Sequence, residues 1–136
     1  MKFIATSTVL IVLSLIPVFG QEQYSLDEVL PEADYENISV KKLYGDSIAT
    51  GFVIWVKDTV ATHRHNWHSE SIVVIEGIAR MYMNDAIQEI KAGDVLFIPK
   101  QTWHAVKVTS DKPLKVLSVQ SPGFYGNDRE FKDDQQ

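Results

Sequence analysis

At 136 residues the chain is too short for two ordinary domains but long enough for one domain around a single core. Its formal net charge is −5 and its 13 basic side chains are scattered, which excludes the basic stripe of a nucleic-acid binder. With no cysteine, neither a disulfide scaffold nor a lipid-modified cysteine anchor is available, and the core alone must hold the fold.

Residues 1–20, "MKFIATSTVLIVLSLIPVFG", carry one Lys at the start, an apolar run from Phe3 to Val18 and a Val-x-Gly ending. This reads as a secretory signal peptide cleaved near Gly20–Gln21; Pro17 and the small residue at its end favour cleavage over a membrane anchor. The mature chain is therefore expected to be secreted or periplasmic, free of the membrane. Residues 21–40 form an acidic N-terminal arm in which "SLDEVLPEADY" suits one helical turn stopped by Pro31.

From residue 41 to 122 short runs rich in Val, Ile and aromatics follow one another: "SIATGFVIWV", "SIVVIEG", "IARMYM", "QEIKAG", "DVLFIP", "HAVKV" and "LKVLSV", with "ISVKKLYG" leading in from Ile38. Gly, Pro, Asn or Asp bound them, and after residue 40 no stretch keeps a helical apolar period for ten residues. That pattern predicts an all-β sandwich or barrel. Asn84-Asp85 supplies the turn of a hairpin. Residues 72–75, "IVVI", are apolar on both faces, so one outer face of a sheet is expected to be covered, and a homodimer would cover it. The tail, residues 123–136, is polar and expected to fray except where Phe124, Tyr125 or Phe131 docks.

The stretch "ATHRHNWHSESIVVIEG" holds three of the four histidines. Side chains of a strand alternate, so His63 and His65 share one face and Arg64 takes the other. Glu70 can return to that face after the "NWHS" bend, and His104 ends "PKQTWH". Three imidazoles and a carboxylate suit one divalent transition metal, Zn, Mn, Fe or Ni, and leave positions for exchangeable ligands.

These residues carry a resemblance. His63, His65, Glu70 and Gly77 match the first motif of the cupin superfamily, His-x-His, four residues, Glu, six residues, Gly. Gly93, Pro99 and His104 resemble its second motif, and the fifteen residues between Gly77 and Gly93 resemble the short spacing of small single-domain bacterial-type cupins. Gln101 stands where the second motif usually has Gly, and Val108 where it often has Asn; neither position is a ligand. The resemblance implies a cupin double-stranded β-helix, a jelly-roll barrel over residues 41–122 with a short N-terminal arm, and a metal on His63, His65, Glu70 and His104.

Three further residues are candidates for catalysis. "IARMYM" puts Arg80 and Tyr82 on one face and Ala79, Met81 and Met83 on the other. With the polar pair inward, Arg80 would clamp a carboxylate and Tyr82 would move a proton; with the opposite phase both are solvated. His68, inside the bend, is either a solvent-facing turn residue or an acid-base group at the pocket mouth. Trp55, Trp67 and Trp103 suit core or dimer packing better than sugar stacking, and Trp103 should face outward if His104 faces inward.

Three functions stay open. The resemblance implies first a metal-dependent, redox-neutral lyase, dehydratase or isomerase on a sugar acid or uronate-containing oligosaccharide. A cupin dioxygenase of a small organic substrate is the second. A non-catalytic sugar-binding or metal-binding module is the third, and a pocket without a usable proton-transfer residue would favour it. The uronate-ring-opening members carry an Asp and an Arg in the last strand region that "VLSVQSPGFYGND" does not match.

Overall fold

The computed structural model describes residues 22–132. The expected signal peptide lies outside the described residues. Ten strands follow in chain order: β1 (Ile38–Gly45), β2 (Thr50–Val56), β3 (Thr59–His65), β4 (Ser69–Glu76), β5 (Ile78–Met83), β6 (Ala86–Lys91), β7 (Val95–Ile98), β8 (His104–Val108), β9 (Leu114–Ser121) and β10 (Arg129–Phe131). They form two five-stranded sheets with orders β1-β2-β9-β4-β7 and β10-β3-β8-β5-β6, and every pairing is antiparallel. Among the described residues there is no helix. The all-β architecture read from the sequence stands.

Between the sheets lies the larger core, which includes Val56, Ile72, Val74, Met81, Ile90, Ile98 and Leu114. A second cluster forms outside the first sheet, where Val29 of the arm packs with Leu43, Val53 and Trp55. β2 is therefore covered on both faces, which explains its unbroken apolar run "GFVIWV". Lys115 fastens the arm from β9: its Nζ donates to the Leu26 carbonyl at 2.6 Å and lies 5.6 Å from the Trp55 ring centroid. Toward the far edge of that sheet Val95 and Phe97 are exposed. They register with Val73 and Ser71 of the "IVVI" strand, so the apolar outer face expected from the sequence is present.

Two motif glycines have conformational reasons. Gly77 sits at φ +84° with the Pro113 carbonyl 2.7 Å from where a Cβ would stand, and Gly93 sits at φ +93°. Gln101 adopts the same left-handed region, φ 65°, and its N–H donates to the His65 carbonyl at 2.6 Å. The turn before His104 thus keeps a backbone that favours glycine although the residue there is Gln.

The tail departs from expectation. Residues 129–131 form β10, which pairs with β3 and sets Arg129 opposite His65 and Phe131 opposite His63. Asp128 before it is buried, and Phe124 docks edge-on against Phe52 at 5.7 Å. Tyr125 stays exposed. Polar composition suggests fraying because it counts charges, but two of the charges here are partnered: Asp128 accepts from the Trp67 N–H at 2.7 Å and Glu130 pairs with Arg64 at 2.9 Å.

Candidate metal centre

Strand alternation and register assemble the centre. His63 and His65 are buried on one face of β3, while Arg64 turns to the other face, pairs with Glu130 and lies 4.6 Å from the Trp103 ring centroid. The β3–β8 register places His104 directly opposite His63. From the opposing sheet β4 contributes Glu70, whose neighbour in register is Gln120 of β9. One ring nitrogen from each of His63, His65 and His104 lies within 4.8 Å of the others. Glu70 Oε2 lies 3.7 Å from His65 Nε2 and 3.6 Å from His104 Nε2. That is close to the spacing of two ligand atoms each about 2.1 Å from one ion. The four residues singled out in the sequence do converge.

Hydrogen bonds orient the ligands. His63 Nδ1 lies 2.9 Å from the Ala61 carbonyl and His104 Nδ1 2.9 Å from the Thr102 carbonyl. Donation there places each Nδ1 proton away from the centre and leaves Nε2 as the free donor. Ser118 donates to Glu70 Oε1, and Gln120 Nε2 approaches the same oxygen at 3.4 Å. His65 Nε2 and His104 Nε2 are buried with no hydrogen-bond partner. Buried polar nitrogens without partners are costly, and a shared cation is the partner this donor set fits.

The charge states agree. Burial, reinforced by neighbouring His104, depresses the His63 imidazole to about 4, and burial lowers His65 as well despite the opposing Glu70 carboxylate. Burial would raise Glu70, but His104 and Ser118 outweigh it and hold the carboxyl at about 2. At 3.6 Å the His104 contact is longer than a regular hydrogen bond. At neutral pH His63 and His65 are therefore neutral and Glu70 is ionised, the state a divalent cation requires of them.

A pH dependence follows. The unfolded chain protonates His63 near 6.5 and the folded chain only near 4, so its contribution is intact above about pH 6.5 and turns destabilising as pH falls toward 4. Glu70 adds a loss of the same sign from about 4.5 down to 2. Chelated protein should lose about 2 kcal/mol between pH 7 and 4.5, on the order of 10 °C in Tm. A Tm that is flat or rises on acidification would contradict these assignments.

Below the ligands lies a cavity of about 80 Å³, bounded by His63, Glu70 and His104 and by aliphatic side chains such as Ile54, Ile72, Met81, Val106 and Val116. Ile38 and Val40 of β1 and Arg129 of β10 complete its lining. Arg129 is the one cationic group among them, and it went unnoticed in the sequence because it lies in a tail without a motif.

The candidate catalytic residues are placed elsewhere. β5 takes the phase that buries Ala79 and Met81, so Arg80 and Tyr82 turn to the outer face, away from the histidines. Aliphatic burial decided this: the Met81 side chain completes the core, which a guanidinium could not do without a partner. His68 is neither solvent-facing nor open to the cavity. It is buried, its Nδ1 against Asp128 Oδ2 and its Nε2 3.0 Å from the Gly123 carbonyl. Trp103 faces outward as expected and Trp67 is exposed.

Comparison with known proteins agrees with this geometry. A family model described as "Cupin domain" matches residues 52–120. An uncharacterized protein of Aquifex aeolicus is 30% identical over 97 residues, which cover 71% of this chain and 79% of that protein. The quercetin 2,3-dioxygenase of Bacillus subtilis is 28% identical over 68 residues, half of this chain but 20% of that enzyme. Among solved structures, a double-stranded β-helix protein from Klebsiella pneumoniae superposes with TM-score 0.71 at 19% identity, covering 84% of this chain and 99% of that one. Pac13, a nucleoside dehydratase from Streptomyces, superposes with TM-score 0.63 at 16% identity over 83% of this chain and 92% of that one. At such identities the structural likeness carries the fold alone, but the matched family model spans both sequence motifs and all four converging side chains. This chain belongs to the cupin domain family.

Proposed function

We propose that the protein is a metal-dependent enzyme that holds one divalent transition metal on His63, His65, Glu70 and His104 and acts on a small organic anion with an apolar body. The observation that carries this reading is the cavity lining: apart from the three ligands that border it and Arg129, the side chains are aliphatic. When bound, the metal supplies a Lewis acid or a redox centre. The chain's own residues do the rest. Arg129 offers a guanidinium to a carboxylate, the aliphatic wall takes up the substrate's body and excludes water, and Glu70 stays ionised under Ser118 and Gln120.

A cavity whose lining offers no acid or base beyond the candidate ligands suits a non-catalytic metal-binding module as well as an oxygenase, whose bound metal would supply the redox chemistry; of the catalytic readings the dioxygenase is placed first. The matching segment of quercetin 2,3-dioxygenase supports it. The redox-neutral elimination or isomerisation of a sugar acid comes second. Arg129 as a carboxylate anchor and the fold shared with Pac13 support it, but a sugar's hydroxyls find few partners on this wall, and Tyr82, Arg80 and His68 are turned away from it.

The test is product mass. Protein loaded in turn with Fe, Mn, Ni and Zn is incubated with small aromatic acids and with uronate oligosaccharides, in air and without oxygen. Oxygen gained only in air supports the dioxygenase. Loss of water or an isomer of unchanged mass without oxygen replaces it with the second reading. Binding with no turnover of either panel sinks the enzyme reading in favour of a binding module.

A further inference from the structure

His65 lacks what the other two histidines have. Each of His63 and His104 has the carbonyl two residues earlier in its own chain to take its Nδ1 proton. Neither ring nitrogen of His65 has a hydrogen-bond partner, although the ring is 98% buried. Its Nε2 faces Glu70 and its Nδ1 faces Asp128 Oδ2 at 3.4 Å.

Asp128 is fully buried and does not depend on His65 for its place. The Trp67 N–H donates to its Oδ1 at 2.7 Å, the His68 N–H to its Oδ2 at 3.2 Å, and His68 Nδ1 lies against the same Oδ2. His68 is in turn anchored at Nε2 by the Gly123 carbonyl. The pair thus ties the bend after β3 to the segment between β9 and β10.

We propose that Asp128 is the positioning residue of the metal centre: it accepts the Nδ1 proton of His65, fixes the tautomer whose Nε2 lone pair points at the centre, and is held in place by His68. A carboxylate there also makes His65 a more basic ligand than a carbonyl acceptor would. The inference rests on the metal reading above only for its effect on affinity; the tautomer is a property of the metal-free chain.

The test therefore has two arms. In 15N-labelled, metal-free protein, His65 is expected as the Nδ1–H tautomer, like His63 and His104. Asp128→Asn, with its amide oxygen kept on the Trp67 N–H, turns an NH2 donor toward His65 and is expected to invert that tautomer while His63 and His104 keep theirs. Its affinity for Co or Zn in chelator competition should fall about 10- to 100-fold. His68→Gln removes the tie but leaves the carboxylate, so it should lower Tm yet keep the His65 tautomer and bind metal within about threefold of the parent. An Nε2–H tautomer of His65 in the unmodified protein overturns the proposal, and that readout stands even if Asp128→Asn fails to fold. Equal losses of metal affinity in the two variants also overturn it, since they would mark a purely structural tie. If the unmodified protein takes up no metal, the metal reading fails, and the tautomer still decides the bond.

Discussion

Stripping the metal from loaded protein is expected to lower Tm by about 15 °C, and His104→Ala is expected to abolish that difference. A ligand at about 1,000 times its Kd stabilises by roughly 4 kcal/mol, and 1 kcal/mol moves a domain of this size by about 4 °C. The magnitude has a local origin. Three buried imidazoles meet around one point, with the His63 and His104 ring centroids 4.2 Å apart, and the His65 and His104 Nε2 atoms have no other partner. The metal-free protein bears that cost, and the ion removes it. His104→Ala deletes one ligand and one orphaned nitrogen together, so the metal-free variant should melt within a few degrees of the metal-free parent. The check is a thermal melt of both proteins with and without chelator. A variant that retains the metal-dependent shift would show that the ion sits elsewhere.

Trp55→Ala is expected to cost about 3–5 kcal/mol and to free the N-terminal arm. The indole is 6% exposed and forms the second core with Val29, Leu43 and Val53, packed by Leu26, Tyr35 and Leu117. Its loss opens a cavity beneath the arm and removes the ring beside the buried Lys115 ammonium. Trp67→Ala is the control. That ring is 60% exposed, so its loss should change stability by no more than about 0.5 kcal/mol. Urea midpoints give both values, and protease cleavage within residues 22–37 should rise only in the Trp55 variant. Equal midpoints for the two would mean that the arm is not held through this cluster.

The sequence by itself determined the strands and which histidines and glutamate converge, because both are written in local chemistry. Alternating apolar runs broken by Gly, Pro and Asn mark strands wherever they lie, and the His-x-His spacing requires His63 and His65 to share a face of β3. Even the orientation of two ligands is local, since His63 and His104 each bond a carbonyl two residues back. Only the tertiary structure decided the rest. Alternation in β5 defines two faces without saying which meets the core, and packing of Met81 chose the phase that excludes Arg80 and Tyr82. No spacing rule links His65 to Asp128 or places Arg129 at the cavity, because β10 reaches β3 across more than sixty intervening residues. A polar tail looks solvated until its partners are known, and those partners exist only once the sheets have closed.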